Sequence, residues 1–355
     1  MKRVVRLAVP PMIALALVGA FAAIRCSTLR SELGASPAVS TPALDAGEVR
    51  FLKGQTHAHS NKSGDSQTPP ADVARWYAEH GFDFVVFTDH NFVTNLPAYK
   101  DTLLIPGVEL TQNLETCEDP PPPGMSCLLH VNALFVDPAK ASALPAAASN
   151  TRVELFGRAL RATAALGGLA QINHPNFQYS ADAKVLAALA CQGAVLLEIA
   201  NEASDSNNAG DAAHPSTEAL WDAVLSEGLT IYGVATDDAH HYYDAQRVQP
   251  AYVGNLGFVM VRARKDAASI RSAMARGDFY ASSGLLFSRL ETLNGAIDLQ
   301  TDVDADFRCI GAHGEVLSSG HGRKARCEAP ATGYVRAVAQ DAAGKKAWSQ
   351  PLRRR

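Results

Sequence analysis

From residue 49 onward, short apolar runs take turns with longer stretches of helical periodicity, and this alternation limits the fold more than any other feature. "VRFLKGQT", "FDFVVFT", "TLLIPGVEL", "HVNALFV", "LAQIN", "AVLLEIA", "LTIYGVA" and "LGFVMVRA" read as strands. Between them, "PPADVARWYAEHG" starts on Pro and ends on Gly, as a helix does. "TRVELFGRALRATAALGG" opens with Thr151 and Glu154 in capping-box spacing. "ADAKVLAALA", "STEALWDAVLSEG" and "DAASIRSAMARG" complete the helices. Repeated strand–helix alternation predicts a parallel sheet covered by helices. About seven strands within residues 49–285 fit a closed (β/α) barrel better than an open sheet. No glycine-rich loop of the P-loop or dinucleotide type interrupts them.

The flanks differ. Lys2, Arg3 and Arg6 precede an apolar stretch from Leu7 to Ile24, with a small-x-small site at Ala20-Phe21-Ala22. Residues 1–26 are therefore a signal peptide or membrane anchor, and lipidation at Cys26 is a third outcome. Each outcome exports the rest of the chain to a periplasmic, membrane-anchored or secreted location. Residues 27–48, rich in Ser, Ala and Pro, read as a linker. Residues 286–355 read as a small β domain or extension, with Trp348 as its core anchor. Cys117 with Cys127, and Cys309 with Cys327, are spaced for local disulfides, while Cys191 sits in an apolar run as a buried thiol. The net charge of -4 and the lack of a basic stripe argue against a nucleic-acid partner.

In a parallel α/β domain, chemistry gathers where strands end. The first strand ends in His57 and His59, the second in Asp89 and His90, the third in Glu109. "LAQIN" leads to His174. "AVLLEIA" carries Glu198 and leads to Asn201. "LTIYGVA" runs into Asp237, Asp238, His240 and His241. Only His130 sits at the start of its strand. One histidine at a strand end is more often a packed residue than a ligand. Several ends loaded with His, Asp and Glu favour metal. Imidazole with carboxylate and no thiolate suits zinc, manganese or iron rather than calcium.

"THAHSNKSGDS", "FTDHN", "IPGVEL", "NHP" and "DDAH" follow one another in an order that resembles the polymerase and histidinol phosphatase (PHP) family, over about residues 50 to 285. The resemblance implies a distorted seven-stranded (β/α) barrel with up to three divalent metals. Carried over by position, His57, His59 and Asp238 would bind the first ion. Glu109 would bridge the first and second, His130 and His174 would complete the second, and Asp65, His90 and His240 would hold the third. The run "RGDFYASSG" resembles an exported branch whose members include carbaryl hydrolases.

The expectation is thus an exported hydrolase of a small-molecule ester, using two or three divalent ions to activate water. Phosphoesters are the first substrate class, and carbamate or carboxylic esters the second. A non-catalytic metal-binding surface protein is the reading of another class. Beyond the expected ligands, Asp89 is expected to orient the histidine beside it or to cap a turn, Asn201 to bind substrate or water, and His241 to protonate the leaving group or to face solvent. Glu198 is either a substrate contact or a structural hydrogen-bonding residue. Arg247 and Arg276 read first as surface charges. Ser282 and Ser283 lack the nucleophile-elbow surroundings.

Overall fold

The computed structural model of the chain describes residues 47–140, 142–249 and 251–354. The export segment at residues 1–26, including Cys26, and nearly all of the linker lie outside the described residues. Among those described, no helix is long and apolar enough to cross a membrane.

Five helices form where the sequence signals place them: α1 Pro70–Glu79, α2 Arg152–Ala165, α3 Ala183–Cys191, α4 Thr217–Ser226 and α5 Ala267–Ala275. Four begin on a side-chain cap. Thr151, Asp182, Ser216 and Asp266 each accept from the backbone N–H three residues on. Each such cap contributes about 1 kcal/mol. The capping box at α2 is half made, because the Glu154 carboxylate turns instead to Ala148 N and Arg161.

The strands are β1 Arg50–Gln55, β2 Phe84–Phe87, β3 Leu103–Leu114, β4 Cys127–Leu134, β5 Leu169–Ile172, β6 Leu196–Asn201, β7 Tyr232–Thr236, β8 Phe258–Ala263 and β9 Phe279–Ser282. They are followed by β10 Phe287–Leu293, β11 Ala296–Ile310, β12 Val316–Glu328, β13 Arg336–Asp341 and β14 Lys346–Ser349. One sheet links them in the order β10-β11-β13-β14-β9-β8-β1-β2-β3-β4-β5-β6-β7, with β12 paired to β11. The class is mixed α/β, but the sheet is not a closed parallel barrel. β4 runs antiparallel to both its neighbours, and β8 runs antiparallel to β1. The physical reason lies at β1. Its two edges are taken by β2 and β8, so β7 finds no edge there to close on. The two ends meet instead at one bridge, Ala58 with Ala239, where His59 N donates to Ala239 O and Asp238 N to His57 O. On β7 itself, the Gln350 side chain supplies a donor and an acceptor to Gly233.

The Pro106–Gly107 step is where β3 changes partner. It pairs with β2 as far as Pro106 and with β4 from Gly107 onward. Gly107 permits this because a Cβ there would lie 2.6 Å from Phe87 O. Two residues later comes Glu109.

The C-terminal strands continue the sheet through the β14–β9 pair. The Cys309–Cys327 disulfide joins opposite ends of the β11–β12 ribbon, so the ribbon folds over and Ile297, Leu299 and Phe307 share one core. Trp348 does not anchor that core. It packs with Trp221, Tyr334 and Val338 in the main core. Beside it, the buried Arg336 guanidinium grips Asp222 of α4 through two bonds of 2.7 Å, and Tyr334 donates to the same carboxylate. The Cys117–Cys127 disulfide is also present. Cys191 is disulfide-bonded too, which corrects the free buried thiol expected from the sequence. Disulfides of this kind fit an oxidising compartment.

Candidate metal centre

The C-terminal ends of β1, β2, β5 and β7 point to one rim. His57 and His59 leave β1, Asp89 and His90 leave β2, His174 follows β5, and Asp238 and His240 follow β7. Glu109 enters from the middle of β3, joined to His90 by a parallel bridge. His130 arrives by a different route. Because β4 is antiparallel, its first half lies on this rim, with His130 beside Thr111. Asp238 and His174 take left-handed backbone angles, φ 51° and 21°. Such angles cost of order 1–3 kcal/mol and persist where the surroundings enforce them.

All nine residues named as ligands come together. His57 Nε2 and His59 Nε2 each lie 3.1 Å from Asp238 Oδ1. The two Glu109 oxygens face different neighbours. Oε1 is 3.2 Å from His130 Nδ1, 3.4 Å from His57 Nε2 and 3.6 Å from His174 Nε2. Oε2 is 2.7 Å from His90 Nδ1 and 3.7 Å from His59 Nε2. Asp65 Oδ2 stands on the solvent side, 3.0 Å from His90 Nε2 and 3.4 Å from His240 Nε2. Four sets of donor atoms lie within 4.8 Å of one another: His59, His90 and His240; His57, His174 and Asp238; His57, His59 and Glu109; Glu109, His130 and His174.

These spacings match a coordination shell. Ligand atoms about 2.0–2.2 Å from an ion sit roughly 3–3.5 Å from each other. Hydrogen bonding does not account for the innermost of them, since His57 Nε2, His59 Nε2 and Glu109 Oε2 are buried without a hydrogen-bond partner, whereas Asp65 and His90 at the solvent side share one. Buried polar atoms are rarely left so. The donor set fits divalent ions.

Outer partners fix which nitrogen faces the centre. Glu198 Oε1 accepts from His57 Nδ1 at 2.7 Å, leaving Nε2 aimed inward. Ser63 Oγ accepts from His59 Nδ1 at 2.8 Å and donates to Asp89 Oδ1 at 3.0 Å. His130 Nε2 donates to Asn113 Oδ1 at 2.8 Å, so Nδ1 faces Glu109. Asn173 donates to Glu109 Oε1. Outer partners of this kind set ring orientation and ligand basicity.

The electrostatics of the ion-free cluster divide the histidines. Burial holds His59 down, to about 3, with His240 and His90 adding to the effect. For His90 burial works the same way, but Glu109 and Asp65 outweigh it and push it up to about 10. Asp238 is held well below the usual carboxylate range: burial opposes ionisation, but His57 and His59 prevail.

The other named residues take varied places. Asp89 is buried, accepts from Ser60, Ser63 and Thr94, and reaches His59 only through Ser63. Asn201 donates to Glu198 and to Asp238 Oδ2 at 3.1 Å. His241 is not among the residues lining the cavity, and its Nδ1 accepts from Tyr252 N. Glu198 is a hub that also accepts from Gln171, His174 N and Thr236. Arg276 pairs with Asp278, and the buried Ser282 donates to Leu285 O. Sequence reasoning missed Ser63, Thr111, Asn113 and Asn173. The first lies within the quoted "HSNKSGDS" run, but no pattern marked it as a ligand's partner.

Over the cluster opens a cavity of about 240 Å³. Its wall includes Leu128, Phe177, Asp205 and Tyr252, and no Lys or Arg among the described residues. No protein-family model and no curated protein matches the chain.

Proposed function

We propose that this chain is an exported metal-dependent hydrolase of ester bonds, with two or three divalent ions in a PHP-type centre. The observation that carries the reading is the convergence of nine His, Asp and Glu side chains at ligand spacing, with His57 Nε2, His59 Nε2 and Glu109 Oε2 buried at its middle without a hydrogen-bond partner. His57, His59 and Asp238 would hold one ion. Glu109 would bridge it to a second held by His130 and His174, and Asp65, His90 and His240 would hold a third. Zinc, manganese or iron suit these donors. Ions held there would supply Lewis acidity, to activate water near neutral pH and to offset charge developing on the attacked group.

The chain's own residues do the rest. Glu198 keeps the His57 proton on Nδ1, and the Asp89–Ser63 pair does the same for His59. Asn201 steadies Asp238. Asp89 and Asn201 thus act as positioning residues. The β1–β7 arc, joined at its rim by the Ala58–Ala239 bridge, supports a distorted barrel of PHP type, opened where β8 occupies β1.

The family resemblance puts phosphoesters first. The cavity favours a second reading, a carbamate or carboxylic ester, because no Lys or Arg lines it to pair with a phosphate dianion. A panel of phosphate mono- and diesters, aryl carbamates and aryl carboxylates, assayed with zinc, manganese and iron, tests both. Turnover should vanish with a chelator and return with the ion. A folded, metal-loaded protein that turns over none of them would leave the non-catalytic metal-binding reading.

A further inference from the structure

The cavity wall has two unlike parts. At one, Phe177 flanks the His130 and His174 rings, with centroids 6.1 and 5.1 Å away, and Leu128 adds to an apolar wall. At the other, Tyr252 packs 5.7 Å from the His240 ring and donates its hydroxyl to Asp205 Oδ2 at 3.2 Å. Asp205 is exposed and belongs to none of the four close donor sets. The carboxylates of Asp65, Glu109 and Asp238 face imidazoles within the cluster. Asp205 faces a cavity whose described lining contains no Lys or Arg.

We propose that the Asp205–Tyr252 part selects substrates by charge, taking an ester whose remote end carries an ammonium or guanidinium group. A cation placed there meets a carboxylate and an aromatic ring together, and both attract it. An anionic remote group would meet Asp205 with no Lys or Arg in the described lining to pair with it. The volume of about 240 Å³ admits only a small molecule. The apolar wall at Phe177 and Leu128 takes the uncharged part. The proposal rests on the ester-hydrolase reading for the bond cleaved, but not for the charge preference.

The test is calorimetric titration of the protein as purified with choline and with its uncharged isostere, 3,3-dimethyl-1-butanol. The wild type should bind choline about tenfold more tightly than the isostere. Asp205→Asn and Tyr252→Leu should each bring the two affinities toward parity while leaving the isostere's nearly unchanged. Equal affinities in the wild type, a preference that survives in Asp205→Asn, or no binding of either probe would overturn the proposal. None of these readouts needs turnover. Failure of the ester panel therefore leaves this result standing, and failure here leaves ester hydrolysis standing.

Discussion

Glu198 Oε1 lies 2.7 Å from His57 Nδ1, deep in the sheet and out of reach of solvent. That one contact decides which nitrogen of His57 is left for an ion. It joins β6 to the end of β1, two elements with four strands between them in the sheet order. The centre is therefore held by the fold as well as by its own ligands.

Replacing Glu198 with Gln should lower divalent-ion affinity by about 10–100-fold, the usual cost of disturbing a ligand's outer partner. The new amide would set an N–H₂ against donors that now converge on the carboxylate. Competition against a chromophoric chelator measures the loss. Wild-type affinity in the variant would show that the contact does not orient the ring.

Acidity should move stability and metal affinity in opposite directions above pH 6.5. In the ion-free protein the fold raises His90 from 6.5 to about 10. Its stabilising contribution is complete below about 6.5 and is lost as pH rises through about 10. His59 has the reverse sign. Lowered to about 3, it contributes above 6.5 and is lost as pH falls toward 3. Denaturant melts with chelator present should therefore weaken between pH 6.5 and 10. Ion affinity should strengthen over that window, because binding displaces the His90 proton. A chelated protein equally stable at both ends of the window would refute this assignment.

Arg336→Ala should destabilise the protein by about 3–5 kcal/mol, because it leaves the Asp222 carboxylate buried without its cation. The midpoint of chemical unfolding reads this directly. Metal content at low temperature should not change, since the pair docks the C-terminal strands on α4, away from the rim.

The converging His, Asp and Glu residues were legible because strand ends carry unusual residues, and five short motifs kept their order. The helices were legible through Thr151, Asp182, Ser216 and Asp266, which signal their starts locally. His130 looked misplaced in the sequence because alternation of strand and helix does not reveal direction. An antiparallel β4 brings the start of a strand to the rim where its neighbours end. The open sheet was hidden for a related reason: that β8 takes the edge of β1 depends on pairing far along the chain. Trp348 and Gln350 were misjudged or unseen because they act across the boundary drawn at residue 286, on α4 and β7. Ser63 and Asn113 are small polar loop and strand residues, and nothing local marks such a residue as a ligand's partner.

The most direct test is elemental metal analysis of the purified, dialysed full-length chain beside His59→Ala and Asp238→Ala. Two or three divalent ions per wild-type chain, with fewer in each variant and the fold retained, is the expected result. A folded wild-type chain that binds no divalent ion, even after incubation with zinc, manganese or iron, would contradict the account at its centre.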